Sequence, residues 1–268
     1  MAINNLTQKT LNSFDLNNKK IHEKQKELSS GKKINSVSDD PAGYTISEKL
    51  DVRTSSLRRS FDNVGYAKNV LYTAESGYSA INDVLSQIRE KAIQAGNASY
   101  SQDERQALAN EISELAASID DVIKTTKFNN QELIGSGGIS GDFQVGADGE
   151  DSFAVDLSVA VDSTSLSLAG ISDTDLDTSL DSILSNVDGA IDKVTSQLQN
   201  VGSGINRLGI KEDNLSVAIT NTDAAVSRIR DADIAKAQSA VLQAQILQNV
   251  QTAQLAQANI SAKSVGTL

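Results

Sequence analysis

Residues 237–262 read AQSAVLQAQILQNVQTAQLAQANISA, and no charged side chain occurs among them. Ala, Leu, Ile, Val and seven glutamines make up most of the stretch, with neither Gly nor Pro to interrupt it, so it is predicted to be helical from end to end. A solvated helix carries Lys or Glu on its outer face; this one has none to place there. Val241, Leu242, Ile246, Val250, Ala253 and Leu255 spread over more than one stripe, so a single neighbouring helix would leave apolar surface wet. The glutamines keep the stretch from being a membrane span, which takes about 18 or more mostly apolar residues in a row. Two readings are open: a buried helix of an ordinary globular core, or a helix enclosed on several sides, in part by other copies of the chain.

Composition narrows the choice. Of the 268 residues only 4% are aromatic and none is Trp, which suits long helices packed through Ala, Leu, Ile and Val better than an enzyme core. The absence of Cys excludes disulfides and thiolate metal sites. The opening MAINNLTQKT has no basic region followed by an apolar run, so no cleavable secretory signal is expected and any export would read something else. A net charge of −11 argues against a general nucleic-acid binder. That charge is uneven. Residues 1–36 hold seven Lys against Asp15, Glu23 and Glu27, while 128–192 hold thirteen acidic residues and no basic one.

The remaining segments are predicted to be mainly α. Residues 3–30 form a helix with a sparse seam: Phe14, Ile21 and Leu28 repeat every seven, and Leu11 is followed at that spacing by the polar Asn18 and Gln25. Such a helix needs a partner, and the uncharged one at the other end of the chain is of similar length. Gly, Asn, Ser and Asp break the pattern over 31–40, after which Asp40 as N-cap and Pro41 at the first helical position open a second helix to about Asn97. Its seam combines Leu57, Val64, Leu71, Tyr78, Leu85 and Ala92 with Ala67, Ala74, Ile81, Ile88 and Ala95, and at 1.5 Å per residue it spans on the order of 80 Å. Ser101 and Glu104 have capping-box spacing and start a third helix to about Lys127, folded back on the second. Residues 129–141 are Gly- and Asn-rich loop. Phe143 to Val145 and the alternating Phe153, Val155, Leu157 and Val159 make a small β-hairpin, with Leu166 and Leu168 as a further strand candidate. A last long seam runs from about Asp177 through Val187, Val194, Val201, Leu208 and Leu215, with Glu212 and Thr222 off-pattern. Gly202, Gly204 and Gly209 within it suggest close packing or a bend. The fold expected is an elongated antiparallel helical bundle with a hairpin region and paired terminal helices.

Catalytic chemistry finds no support in the chain. The single His22 lies in His-Glu-Lys-Gln-Lys, where Lys26 replaces the second imidazole that a zinc-protease motif requires. Asp173, Asp175 and Asp177 imitate the start of a calcium loop, but Thr178 stands where such a loop needs Gly and Leu184 where it needs Glu. No nucleophile has a plausible base and no Gly-rich phosphate cradle follows a strand, so neither an enzyme nor a cofactor is expected.

Several motifs taken together resemble one family. Leu28-Ser-Ser-Gly31-Lys-Lys-Ile-Asn35-Ser, Asp39-Asp40-Pro-Ala-Gly43, Phe128-Asn129, Phe143-Gln-Val-Gly146-Ala, Ser227-Arg-Ile-Arg-Asp231-Ala-Asp233 and Leu255-Ala-Gln-Ala-Asn259 are similar, in order and across nearly the whole chain, to bacterial flagellin. The resemblance implies a terminal coiled coil from residues 1–41 and 231–268 lining a filament channel, surrounded by a bundle from 42–230. It also implies a homopolymer, export in unfolded form with a chaperone, hook-associated and cap proteins as partners, and an extracellular location without membrane insertion. Between Leu168 and Leu180 there is no room for the family's usual outer insert, and the tail from Ile260 differs from the common one. On this reading Leu11, Phe14, Ile21, Leu28, Val241, Leu242, Ile246, Val250 and Leu255 carry assembly. Arg89, Glu90 and Glu111 match the family's contact for the vertebrate Toll-like flagellin receptor, while Gln87 and Lys91 stand where Arg and Leu are typical. The competing readings are a hook–filament junction protein and a secreted helical-bundle binding module.

Overall fold

The computed structural model describes residues 2–165 and 171–265. Leu166 and Leu168, and with them the further strand candidate, lie outside the described residues. Among those described, the elements in chain order are α1 (Ala2–Ser30), α2 (Pro41–Ala95), α3 (Gln102–Thr125), β1 (Lys127–Phe128), β2 (Gln131–Glu132), β3 (Ser140–Gln144), β4 (Ser152–Asp156), α4 (Asp173–Thr178), α5 (Leu180–Arg230) and α6 (Ile234–Val265). The fold is mainly α, as the periodicities predict. Two compact units divide it: Met1–Thr54 with Thr220–Leu268, and Ser55–Ile219. Both division points fall inside a continuous long helix, α2 or α5, rather than at a linker.

In the unit Ser55–Ile219 the two heptad seams close on one core. Val64, Leu71, Tyr78, Ile81, Leu85 and Ile88 of α2 are buried, as are Ile112 and Ile119 of α3 and Val187, Val194, Val201 and Leu208 of α5. The third helix has the cap its sequence announces. Ser101 Oγ accepts from the Glu104 amide while Glu104 Oε2 accepts from the Ser101 amide at 2.7 Å. β3 and β4 pair antiparallel with Phe143 opposite Phe153. Phe153 and Val155 face the core while Ser152, Ala154 and Asp156 face out, the alternation a one-sided strand requires. Four contacts bind the hairpin region down. Tyr78 Oη donates to the Leu157 carbonyl at 2.6 Å, and Asn63 Nδ2 donates to the Gln144 carbonyl at 3.0 Å. The Arg207 guanidinium lies 5.0 Å from the Phe153 ring centre, and Lys211 Nζ is 3.6 Å from Asp151.

Three local features differ from expectation. A second, minimal hairpin, β1–β2, occupies part of the predicted loop, turning at Asn129 (φ 49°) and Asn130 (φ 66°). Both residues are in the left-handed region that a two-residue type I′ turn needs and that Asn tolerates better than other side chains. The last long helix begins at Leu180, not Asp177, because the Asp-rich segment forms a separate short helix, α4, capped by Ser172. The Asp175 carboxylate is engaged there by the Ser172 amide and hydroxyl. Of the three helical glycines, only Gly204 has a packing reason. A Cβ added to it would stand 3.2 Å from Leu71 Cδ1 and 3.3 Å from Phe153 Cζ, whereas Gly202 and Gly209 face open space.

Candidate assembly surface

α1 and α6 meet at one end and run back alongside each other. Where they meet, the chain segments joining α1 to α2 and α5 to α6 form a short antiparallel bridge. The Ala232 amide donates to the Gly31 carbonyl at 2.9 Å and the Lys33 amide to the Arg230 carbonyl at 2.7 Å. Gly31 takes a φ of 70°, a conformation that costs a side-chain-bearing residue energy. α1 therefore arrives at the joint and α6 departs from it, an antiparallel pair.

The seam between them follows three- and four-residue steps. On α6 it consists of the buried Ala237, Val241 and Ala244 and the half-buried Gln248, Gln251 and Leu255; on α1, of Thr10, Phe14, Asn17, Ile21, Lys24 and Leu28. The column accompanying Phe14, Ile21 and Leu28 is thus Thr10, Asn17 and Lys24; of the Leu11, Asn18 and Gln25 that the sequence spacing suggested, Asn18 is half-buried beside it, while Gln25 is exposed and Leu11 turns outward at 45% exposure. Asn17 and Gln248 are satisfied across the seam, whereas Gln251 Oε1 is buried without a hydrogen-bond partner. Asn17 Nδ2 donates to the Ala244 carbonyl and Gln248 Nε2 to Asn18 Oδ1, each at 2.7 Å. Lys24 closes on Glu27 of its own helix at 2.6 Å. Small Ala residues on α6 let the backbones approach closely enough for the Asn17 bond to reach a main-chain carbonyl.

What the seam leaves uncovered is the functional observation. Leu242, Ile246, Leu247 and Val250 are 51%, 63%, 54% and 47% exposed, and Leu16 of α1 is 66% exposed. Full burial of a Leu, Ile or Val side chain is worth about 1.5–3 kcal/mol, so each of the four stands to gain roughly half that from a covering partner. No charge lies on this part of α6, so covering it takes no ion out of water. Of the residues the sequence nominated for assembly, Phe14, Ile21, Leu28, Val241 and Leu255 lie in the intrachain seam, and Leu11, Leu242, Ile246 and Val250 face outward. Leu247 was missed, and its place beside Ile246 in the uncharged stretch was the available signal. No helix among the described residues is long and apolar enough to cross a membrane.

In the other unit, Arg89 Nε lies 2.6 Å from Asp188 and Lys91 Nζ 2.5 Å from Glu111; Glu90 is exposed. The Asp188 carboxylate, bonded to Arg89, raises that guanidinium's pKa, and Glu111 does the same for the Lys91 ammonium.

Residues 2–136 match the bacterial flagellin N-terminal helical region and residues 184–268 the bacterial flagellin C-terminal helical region. The chain belongs to the bacterial flagellins. It is 32% identical over 290 residues to the flagellin of Bacillus subtilis, covering 96% of this chain and 95% of that one. Two solved structures share the fold. The flagellin of Bacillus cereus matches with a TM-score of 0.51 at 23% identity, over 62% of this chain and 94% of that one. A protein of Vibrio parahaemolyticus described as a flagellar hook-associated protein matches with a TM-score of 0.61 at 15% identity, over 72% of this chain and all of that one. In this chain Arg89 is held in an ion pair with Asp188 and Glu111 in one with Lys91.

Proposed function

We infer that the chain is a structural subunit of the bacterial flagellar filament, working outside the cell, and that it polymerises through its terminal helices. The observation that carries the second part is the exposed apolar face of α6, Leu242, Ile246, Leu247 and Val250, on a helix with no charge between 237 and 262. A monomer loses by keeping that face wet, and a homopolymer covers it in every copy. Homopolymerisation also suits the two-sided character of α6, one seam for α1 and the opposite face for neighbours. Export in unfolded form through the flagellar apparatus, with a chaperone guarding the apolar helix beforehand and with hook-associated and cap proteins at the filament ends, completes the proposal. The likeness to the Vibrio protein is one of fold alone and does not favour a junction protein.

Electron microscopy of the purified protein tests the reading. Long filaments from the full chain, and none from a chain lacking residues 237–268, are the expected result; a stable monomer or small complex under polymerising conditions would overturn it.

A further inference from the structure

We propose that Arg230 is the positioning residue of the subunit's terminal joint, the group that fixes the ends of α2 and α5 where α1 and α6 attach, and that filament growth depends on it. The proposal rests on the filament reading above. Arg230 is the last residue of α5, and its side chain is only 17% exposed. Its Nη1 lies 2.6 Å from Asp51 Oδ2 and 3.4 Å from Glu48 Oε1, carboxylates one helical turn apart on α2. Its own carbonyl accepts the amides of Lys33 at 2.7 Å and Ile34 at 3.4 Å, from the segment that leaves α1. Arg230 thus ties two pieces to the end of α5: its side chain holds α2 and its backbone holds the α1–α2 connection, while the next residue, Asp231, bridges to Lys32 on the way into α6. Ile34, brought in by this bridge, is 2% exposed, and Gly43 of α2 sits so close that a Cβ there would collide with Ile34 Cδ1 and Asp40.

The chemistry calls for arginine. Both carboxylates are met by the one nitrogen Nη1, with a hydrogen bond to Asp51 and a longer ionic contact to Glu48, while Nε is buried without a hydrogen-bond partner. The permanent charge and the reach of the guanidinium, rather than a two-pronged fork, are what a lysine supplies less well here. Taking it away leaves Glu48 and Asp51 as neighbouring like charges on one helix face, which repel. Apolar packing does not compensate in this part of the chain. Between Leu215 and Ala237, themselves buried, no apolar residue is fully buried, and α2 before Leu57 buries Gly43, Ser47 and Thr54. With Ile34 the fully buried apolar side chain at this joint, the direction in which α1 and α6 leave it rests on polar contacts as well, those of Arg230 among them. The assembly face of α6 is useful only if every copy presents it alike.

The test compares the full chain with R230A, R230K and the charge swap R230D/D51R, reading the subunit concentration at which filaments grow. R230A should need at least tenfold more protein than the wild type; R230K should recover part of the difference and the swap most of it. The thermal unfolding of the unit Ser55–Ile219 should be unchanged in all variants. Growth of R230A at the wild-type concentration would overturn the proposal, and so would an R230A defect accompanied by a lowered unfolding temperature of that unit. If the wild type forms no filaments, the filament reading fails separately. The positioning role is then read from hydrogen exchange at the Lys33 and Ala232 amides, where faster exchange in R230A than in wild type supports it and equal exchange overturns it.

Discussion

Lys68 Nζ and Glu212 Oε2 lie 2.6 Å apart, joining α2 to α5 at a seam position where every heptad neighbour of Glu212 from Leu184 to Ile219 is apolar. The glutamate that breaks the pattern in sequence is therefore not a defect of the seam. Its partner is a lysine that also leaves the surface, the two side chains being 23% and 30% exposed. The hydrogen bond to Glu212 raises the Lys68 pKa above its ordinary 10.5. A raised lysine pKa means that the pair's contribution is fully present below the unfolded value and is lost as pH climbs through the folded one. E212L alone should cost about 1–3 kcal/mol, between the values for exposed and buried pairs, because it strands Lys68; the double change K68M/E212L should recover most of this. Urea denaturation at pH 7 followed by circular dichroism checks both. Equal stability of E212L and wild type would show that the pair is solvated and inert.

The helical glycines give a contrast that needs no charge. Gly202 faces open space, so G202A should stabilise the unit Ser55–Ile219 by about 0.5–1 kcal/mol through helix propensity and a less free unfolded chain. G204A earns the same propensity but places its methyl within 3.3 Å of both Leu71 and Phe153, which are 2% and 8% exposed and held by their own neighbours. It should be neutral or destabilising. Thermal melts of the two variants decide, and the reverse order would mean that the hairpin gives way more easily than its contacts indicate.

Sequence periodicity made the long helices and the capped start of α3 readable, because apolar residues recurring every seven over fifty residues allow no other regular structure. It also nominated α6 as the surface that a single chain cannot cover. What it misjudged was finer. Leu11 and Thr10 are both compatible with a seam through Phe14, and the choice between them is made by Asn17 reaching the Ala244 carbonyl, a tertiary contact with no local trace. The β1–β2 hairpin was hidden because two-residue strands have no period; only the adjacent Asn129 and Asn130 signalled a left-handed turn. Arg230 was invisible as a joint because its partners Glu48 and Asp51 lie far away in sequence.

The loop between α1 and α2 should respond to acid. Asp39 Oδ2 accepts the amides of Asn35 at 2.9 Å and Ser36 at 2.8 Å. These backbone bonds, that from Asn35 first, hold its carboxyl below the ordinary 3.8. A depressed carboxylate pKa stabilises the loop above the unfolded value, and that contribution disappears as pH falls through the folded one. The Asn35 and Ser36 amide resonances should hence move together in an NMR titration below about pH 3.8, and D39A should remove the joint movement. Amide shifts that persist unchanged in D39A would assign the transition to another group.

Free subunits should be protease-sensitive at both ends. Helices in isolation are marginal, and the α1–α6 seam buries Asn17 and half-buries Gln248 and Gln251 where a strong coiled coil has Leu or Ile. A broad-specificity protease should remove α1 and α6 from monomer, stopping at the joint held by Arg230, and should leave the ends intact in filaments. Trypsin is a poor choice, since no Lys or Arg occurs between 128 and 192. Survival of residues 1–30 in digested monomer would contradict this.

Cysteine labelling can follow the α6 face directly, because the chain has no Cys of its own. Leu247 is 54% exposed in the single chain and belongs to the apolar face assigned to neighbouring copies. Glu150, in the exposed turn between β3 and β4, belongs to the stretch with thirteen carboxylates and no cation. Packed together near a filament axis those carboxylates would repel one another in every copy, whereas at large radius salt screens them over about 8 Å. Asp162 is a poorer labelling site than Glu150, being half-buried and bonded to the Ser165 hydroxyl at 2.6 Å. A bulky maleimide should label L247C and E150C equally fast in monomer. In filaments E150C should keep its rate while L247C becomes at least tenfold slower, since the reagent then has to wait for a subunit to leave. Undiminished labelling of L247C in filaments would show that the exposed apolar face of α6 is not the one that neighbouring subunits cover.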